Sequence, residues 1–170
     1  MRVVKVLSLA IIFLLSVSFA CAQEPKGVQN LRYEVFGVKW GAPLTSEFTK
    51  IDGGTYTRKG SSGIEYLFSP INQFFMASKK VTHGEAIALV KQFTGRYGTP
   101  RIDKSAITTW GTVYSWTLSK LAPFDFDGEI HPTDVGITVT TGGSKYKPKL
   151  AIMNTEIFQW GVFQKTRRGQ

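Results

Sequence analysis

Apolar positions follow the 3.6-residue period once with punctuation at both ends. Ala86, Leu89, Val90, Phe93 and Tyr97 share one helical face, and Thr82-His83-Gly84-Glu85 precedes them. Thr82 and Glu85 are spaced as a capping box: the hydroxyl takes a free amide and the carboxylate reaches back to the cap. Gly98 supplies the positive φ that ends a helix, and Pro100 blocks continuation. The pattern predicts a helix over 83–97. Elsewhere the period is near two and turn residues cut it often. Residues 33–40 read as a strand closed by Gly41-Ala42-Pro43, and 45–48 as one helical turn. Asp52-Gly53-Gly54 is a turn. Residues 55–58 and 64–68 alternate around Lys59-Gly60-Ser61-Ser62-Gly63 as a hairpin, with Ile64, Tyr66 and Phe68 on one face. Ser69-Pro70-Ile71-Asn72 turns the chain into a strand at 73–78.

Beyond the helix, Ile107, Trp110, Val113, Trp116 and Leu118 read as one β-rich stretch, with Gly111 as a bulge or bend. Residues 135–139 form a strand, Gly142-Gly143-Ser144 opens a loop, and 149–155 returns as a strand. Residues 157–163 fit either a strand extension or a short helix, and 166–170 read as a frayed basic end. Short links between strands favour antiparallel pairing. The fold expected is α+β: a curved antiparallel sheet of about six to seven strands with one principal amphipathic helix packed on it.

The first residues are patterned differently. Arg2 and Lys5 precede an apolar run over 6–15, then small residues around Ala20-Cys21-Ala22, which is the pattern of an export signal. The expected organisation is a signal peptide at 1–22, a flexible tether at 23–31 and a single domain at 32–170. Cleavage after Ala22 gives a soluble periplasmic or secreted product; lipidation of Cys21 gives a membrane-anchored lipoprotein. Ser18 and Phe19 depart from the usual lipidation pattern, in which a Leu stands three residues before the cysteine. Peripheral membrane attachment is expected only with a lipid on Cys21.

Cys21 is the one cysteine, so disulfides and thiolate chemistry are excluded from the folded part. Its core must rest on apolar packing, and 12 Phe, 6 Tyr and 4 Trp are present to supply it. The chain carries 21 Lys and Arg against 12 Asp and Glu. Loss of Arg2 and Lys5 with the signal still leaves a strongly cationic domain. Such a surface draws anionic partners. Export opposes nucleic acid and favours an envelope protein or an anionic envelope polymer.

Two segments carry a resemblance. Phe36-Gly37-Val38-Lys39-Trp40-Gly41-Ala42-Pro43-Leu44 and Tyr97-Gly98-Thr99-Pro100 resemble a broad set of uncharacterised bacterial secreted envelope proteins. These open with a strand ending in Trp-Gly-x-x-Leu and later close a helix with Tyr-Gly-x-Pro. The resemblance implies a secreted domain and carries no catalytic residues with it. The helix ending in Gly-x-Pro beside a small sheet is also similar to small outer-membrane lipoproteins that help assemble β-barrels. Those place two helices before their strands, whereas strands come first here.

Candidate chemistry is sparse. Asp125, Asp127, Gly128, Ile130 and Asp134 fall at the third, fifth, sixth, eighth and twelfth places of a calcium loop, but Pro123 holds the first ligand place. These carboxylates are weak metal candidates, set against a plain turn between strands. His83 beside the helix cap and His131 in the acidic loop have no Gly-x-Ser-x-Gly elbow or His-Glu-x-x-His helix to work with. The partner-binding candidates are Lys145, Lys147 and Lys149 after the double glycine, and Lys165, Arg167 and Arg168 near the end. The four tryptophans are expected in the core, with Trp160 the most exposed. No catalytic residue and no cofactor is assigned. The function expected is an exported, non-enzymatic envelope domain that binds a macromolecular or anionic partner through a basic face. The alternatives are a lipidated outer-membrane assembly or inhibitor module, and a secreted hydrolase using the carboxylates of 125–134.

Overall fold

The computed structural model describes residues 28, 30–31, 33–105, 107–118, 123–126, 129–132 and 135–168. The signal peptide with Cys21, and the tether up to residue 27, lie outside the described residues. Val28 and Leu31, assigned to that tether, are buried in the core, so the folded domain begins earlier than composition suggests.

Twelve strands and three helices are described. Strands β3 (Phe48–Asp52), β4 (Thr55–Arg58), β5 (Ile64–Phe68), β6 (Phe74–Lys80), β7 (Arg101–Asp103), β8 (Val113–Leu118), β11 (Val135–Thr140) and β12 (Lys149–Asn154) form one open sheet. Its order is β3-β4-β5-β6-β12-β11-β8-β7, and every pairing is antiparallel. The sheet thus has eight strands rather than six or seven. β3 and β7 are the additions: both lie at edges, and neither alternates in a way that marks a strand. β1 (Glu34–Val35) and β2 (Val38–Lys39) make a separate two-stranded pair, as do β9 (Pro123–Phe126) and β10 (Glu129–Pro132).

The expected strand at 33–40 is in fact that first tight hairpin, because Phe36 and Gly37 both take positive φ and reverse the chain. The helical turn expected at 45–48 is a simple turn closed by the Phe48 amide on the Thr45 carbonyl, and Phe48 starts β3.

Register places one apolar row across the sheet. Trp116 pairs with Ile137, Ile137 with Ile152, Ile152 with Ala77 and Ala77 with Tyr66. All five are buried. Helix α1 (His83–Tyr97) lies on this face through Ala86, Leu89 and Phe93, and Phe93 meets Trp116 edge-on at 5.6 Å. The capping box is present: the Glu85 amide donates to the Thr82 hydroxyl at 3.2 Å, and the Thr82 amide donates to the Glu85 carboxylate at 2.6 Å. A β-bulge between Leu67 and Phe68 shifts the β5–β6 register. Consecutive residues Phe74 and Phe75 are both buried because β6 is covered on both faces: Phe74 packs with Trp40 and Phe68, and Phe75 meets Phe158 at 4.9 Å.

Both motifs of the sequence resemblance have structural reasons. The Trp40 indole N–H donates to the Leu31 carbonyl at 3.0 Å and its ring stacks on Phe74 at 5.3 Å, pinning the N-terminal hairpin to the sheet. Gly98 ends α1 with φ 85°, and its carbonyl accepts from the Trp116 indole at 2.9 Å.

The expected β-rich run from residue 107 splits. Helix α2 (Ile107–Trp110) comes first and only Val113–Leu118 is strand. The terminal segment is helix α3 (Thr155–Arg168). Buried Asn154 caps it, accepting the Ile157 amide at 3.1 Å. The frayed end expected from residue 166 is therefore helical up to Arg168.

Candidate functional site

The 141–148 loop is held rigidly by its neighbours. The amide and hydroxyl of Ser144 both donate to the Thr108 carbonyl at 2.7 Å, and the Tyr146 amide donates to the Thr109 carbonyl at 3.2 Å. The Gly143 amide closes on the Tyr146 carbonyl at 3.0 Å. The Thr141 hydroxyl accepts the Thr112 amide at 2.9 Å. Glycine is required by contact as well as conformation. A Cβ on Gly111 would lie 2.3 Å from the Gly142 oxygen, one on Gly142 2.6 Å from Pro148, and one on Gly143 2.6 Å from Thr109. This corner of the sheet therefore joins α2 to the β11–β12 loop with no room for side chains at three positions.

On that support stands a ring pair. Trp110 and Tyr146 stack with centroids 3.7 Å apart and planes 9° apart. Both stay exposed, at 38 % and 36 %. The Lys145 ammonium sits over the Tyr146 ring at 5.4 Å. The expectation that Trp160 is the most exposed tryptophan is corrected: Trp40 and Trp116 are core, and Trp110 is the outward one. Its signal in the sequence is Gly111, which breaks the strand pattern immediately after it.

The basic candidates lie on three different elements. Lys145 and Lys147 are exposed on the loop where β12 begins. Lys149, the first residue of β12, is instead committed within the sheet: its ammonium donates to Glu65 at 2.8 Å, and Lys80 pairs with the other carboxylate oxygen at 3.5 Å. Ser78 donates a third bond to Glu65 at 3.2 Å. Partial burial pushes the Glu65 carboxyl up, but the Lys149 hydrogen bond and the charges of Lys149 and Lys80 outweigh it and hold the group below its usual range.

Lys165 and Arg167 lie exposed on α3, which starts where β12 ends, and Arg168 closes that helix. A six-residue strand at about 3.3 Å per residue separates the two ends. Arg167 leans over Phe163 at 5.2 Å. Lys145 and Lys147 thus precede β12, and Lys165, Arg167 and Arg168 follow it on the last turns of α3.

His83 is held by structure. Its Nδ1 lies 2.9 Å from the Thr141 carbonyl, which can only accept, so Nδ1 carries the proton and donates. The acidic segment forms the β9–β10 hairpin, in which Asp125 pairs with Ile130 and His131 with Phe124. Asp127 and Asp134 lie outside the described residues. Among the described residues no three His, Cys, Asp or Glu side chains are grouped to hold a metal ion. Among them, too, no helix is long and apolar enough to cross a membrane. No protein-family model, curated protein or solved structure matches the chain.

Proposed function

We propose that this chain is an exported, non-enzymatic envelope domain that binds an anionic partner, with contact centred on Lys145 and Lys147. The observation that carries this reading is the contrast among its lysines. Lys149 and Lys80 share the single carboxylate of Glu65, whereas Lys145 and Lys147 have no carboxylate partner among the described residues and stand on a loop braced by backbone hydrogen bonds. A rigid site loses little conformational entropy when it binds. Export is supported by the charged, apolar and small-residue order of positions 1–22.

The test has two parts. The intact mass of the product from the native host separates a chain starting at Gln23 from one lipidated on Cys21. Binding to inorganic polyphosphate should weaken steeply as salt rises. The Lys145→Gln/Lys147→Gln pair should weaken it well beyond the Lys165→Gln/Arg167→Gln pair. Salt-insensitive binding, or an equal loss in the two pairs, would sink the assignment.

A further inference from the structure

We propose that the corner formed by α2 and the 143–147 loop docks on the surface of an anionic phospholipid leaflet. This rests on the anionic-partner reading above and names the partner's chemistry. The corner combines two kinds of side chain on one rigid support. Ile107 is 49 % exposed, and it shares a face of α2 with Trp110 because residues three apart on a helix lie side by side. Trp110 and Tyr146 extend the apolar surface. Lys104, Lys145 and Lys147 are exposed around it. Asp103, the nearby carboxylate, is engaged by the Ser105 amide at 2.8 Å.

Apolar side chains with Trp and Tyr rings and flanking lysines match a bilayer interface. The rings settle among the headgroups, the aliphatic chain reaches the acyl boundary, and the ammonium groups meet phosphates.

The exposed Ile107 and the engaged Tyr146 ring favour this partner over a polysaccharide or a nucleic acid. Those ligands stack on an open aromatic face. Here Tyr146 has Trp110 at 3.7 Å against one face and the Lys145 ammonium over its ring. Tyr146 is thus engaged by both neighbours, and the exposed Ile107 beside the rings suits an interface that is apolar below and charged above. The close glycine contacts at positions 111, 142 and 143 fix the backbone that carries the rings. Docking through this corner is independent of a fatty acid on Cys21, unlike the attachment expected from the sequence.

The experiment is co-sedimentation of the mature chain with phosphatidylcholine vesicles, with and without phosphatidylglycerol, beside polyphosphate binding. Wild type is expected to bind only the phosphatidylglycerol vesicles. Removing one of Lys145 and Lys147 should weaken this about fivefold, and removing both about thirtyfold. Ile107→Ser should weaken vesicle binding and leave polyphosphate binding unchanged, and its exposed position makes misfolding a minor concern. Circular dichroism of each variant separates lost folding from lost binding.

If polyphosphate binds and the vesicles do not, the lipid assignment is overturned while the anionic-partner reading stands. The same holds if Ile107→Ser leaves vesicle binding at the wild-type level. Loss in the Lys165→Gln/Arg167→Gln pair alone moves the contact to α3 and overturns both. Binding to neither anion overturns both as well.

Discussion

At the scale of single residues, steric contact and charge decide more than residue type. Gly53 and Gly111 both have positive φ, at 49° and 76°. A side chain at Gly53 meets open space, whereas one at Gly111 meets backbone. Gly53→Ala should cost about 1 kcal/mol for the left-handed backbone alone. Gly111→Ala should cost well over about 2 kcal/mol, because its neighbours must also move; thermal melts of the two variants measure the gap. Glu65 makes a pH prediction. Its carboxyl is held below the ordinary range, so the folded state binds the proton less readily than the unfolded chain. The resulting stability is present above the ordinary glutamate range and is lost as pH falls through the lowered folded value. Urea midpoints followed from neutral to acid pH should fall less steeply in Glu65→Gln. The difference should stay near or below about 1 kcal/mol, since the group is partly solvated. The turn glycines were legible in the sequence, but their contacts were not, since Gly111 meets Gly142 across 31 positions of chain.

At the scale of elements, α1 and α3 differ in how openly the sequence announces them. α1 has a cap, a period and a stop, and its span matches the prediction because each signal is local. α3 has Asn154 as its cap, but that residue ends a strand and is buried, so its capping role depends on the chain turning there. Gly95 and Gly161, in the two helices, make opposite predictions. Alanine is intrinsically better than glycine in a helix by about 0.5–1 kcal/mol. Gly95 has free space, so Gly95→Ala should stabilise by about that amount. Gly161 packs against the turn after β5, where a Cβ would lie 2.7 Å from the Ser69 Cβ. Gly161→Ala should therefore destabilise despite the better propensity. Denaturant unfolding of both variants reads the sign directly. Thr82→Ala should cost about 1 kcal/mol by removing the cap of α1.

At the scale of the whole molecule, the cations are divided among several elements. A positive net charge raises encounter with anions from any direction. Specific contact needs charges that converge, and the proposal places that convergence at the α2 corner. Replacing Lys149 by Met should remove a charge without weakening anion binding, because its partner is Glu65. It should lower stability instead by leaving a partly buried carboxylate with less compensation; a binding isotherm and a melt on the same sample separate the two effects.

The α+β class, the antiparallel pairing, the helix at 83–97 and the Asp52-Gly53-Gly54 and Gly142-Gly143 turns follow from the amino-acid order. Their causes act over a few residues: hydrophobic period, capping and backbone freedom. Which strands lie at the edges, that Val28 and Leu31 join the core, that Glu65 neutralises Lys149, and that Trp110 finds Tyr146 were decided by tertiary packing alone. Those contacts join positions far apart in the chain, and no local pattern records which distant surface a side chain will meet.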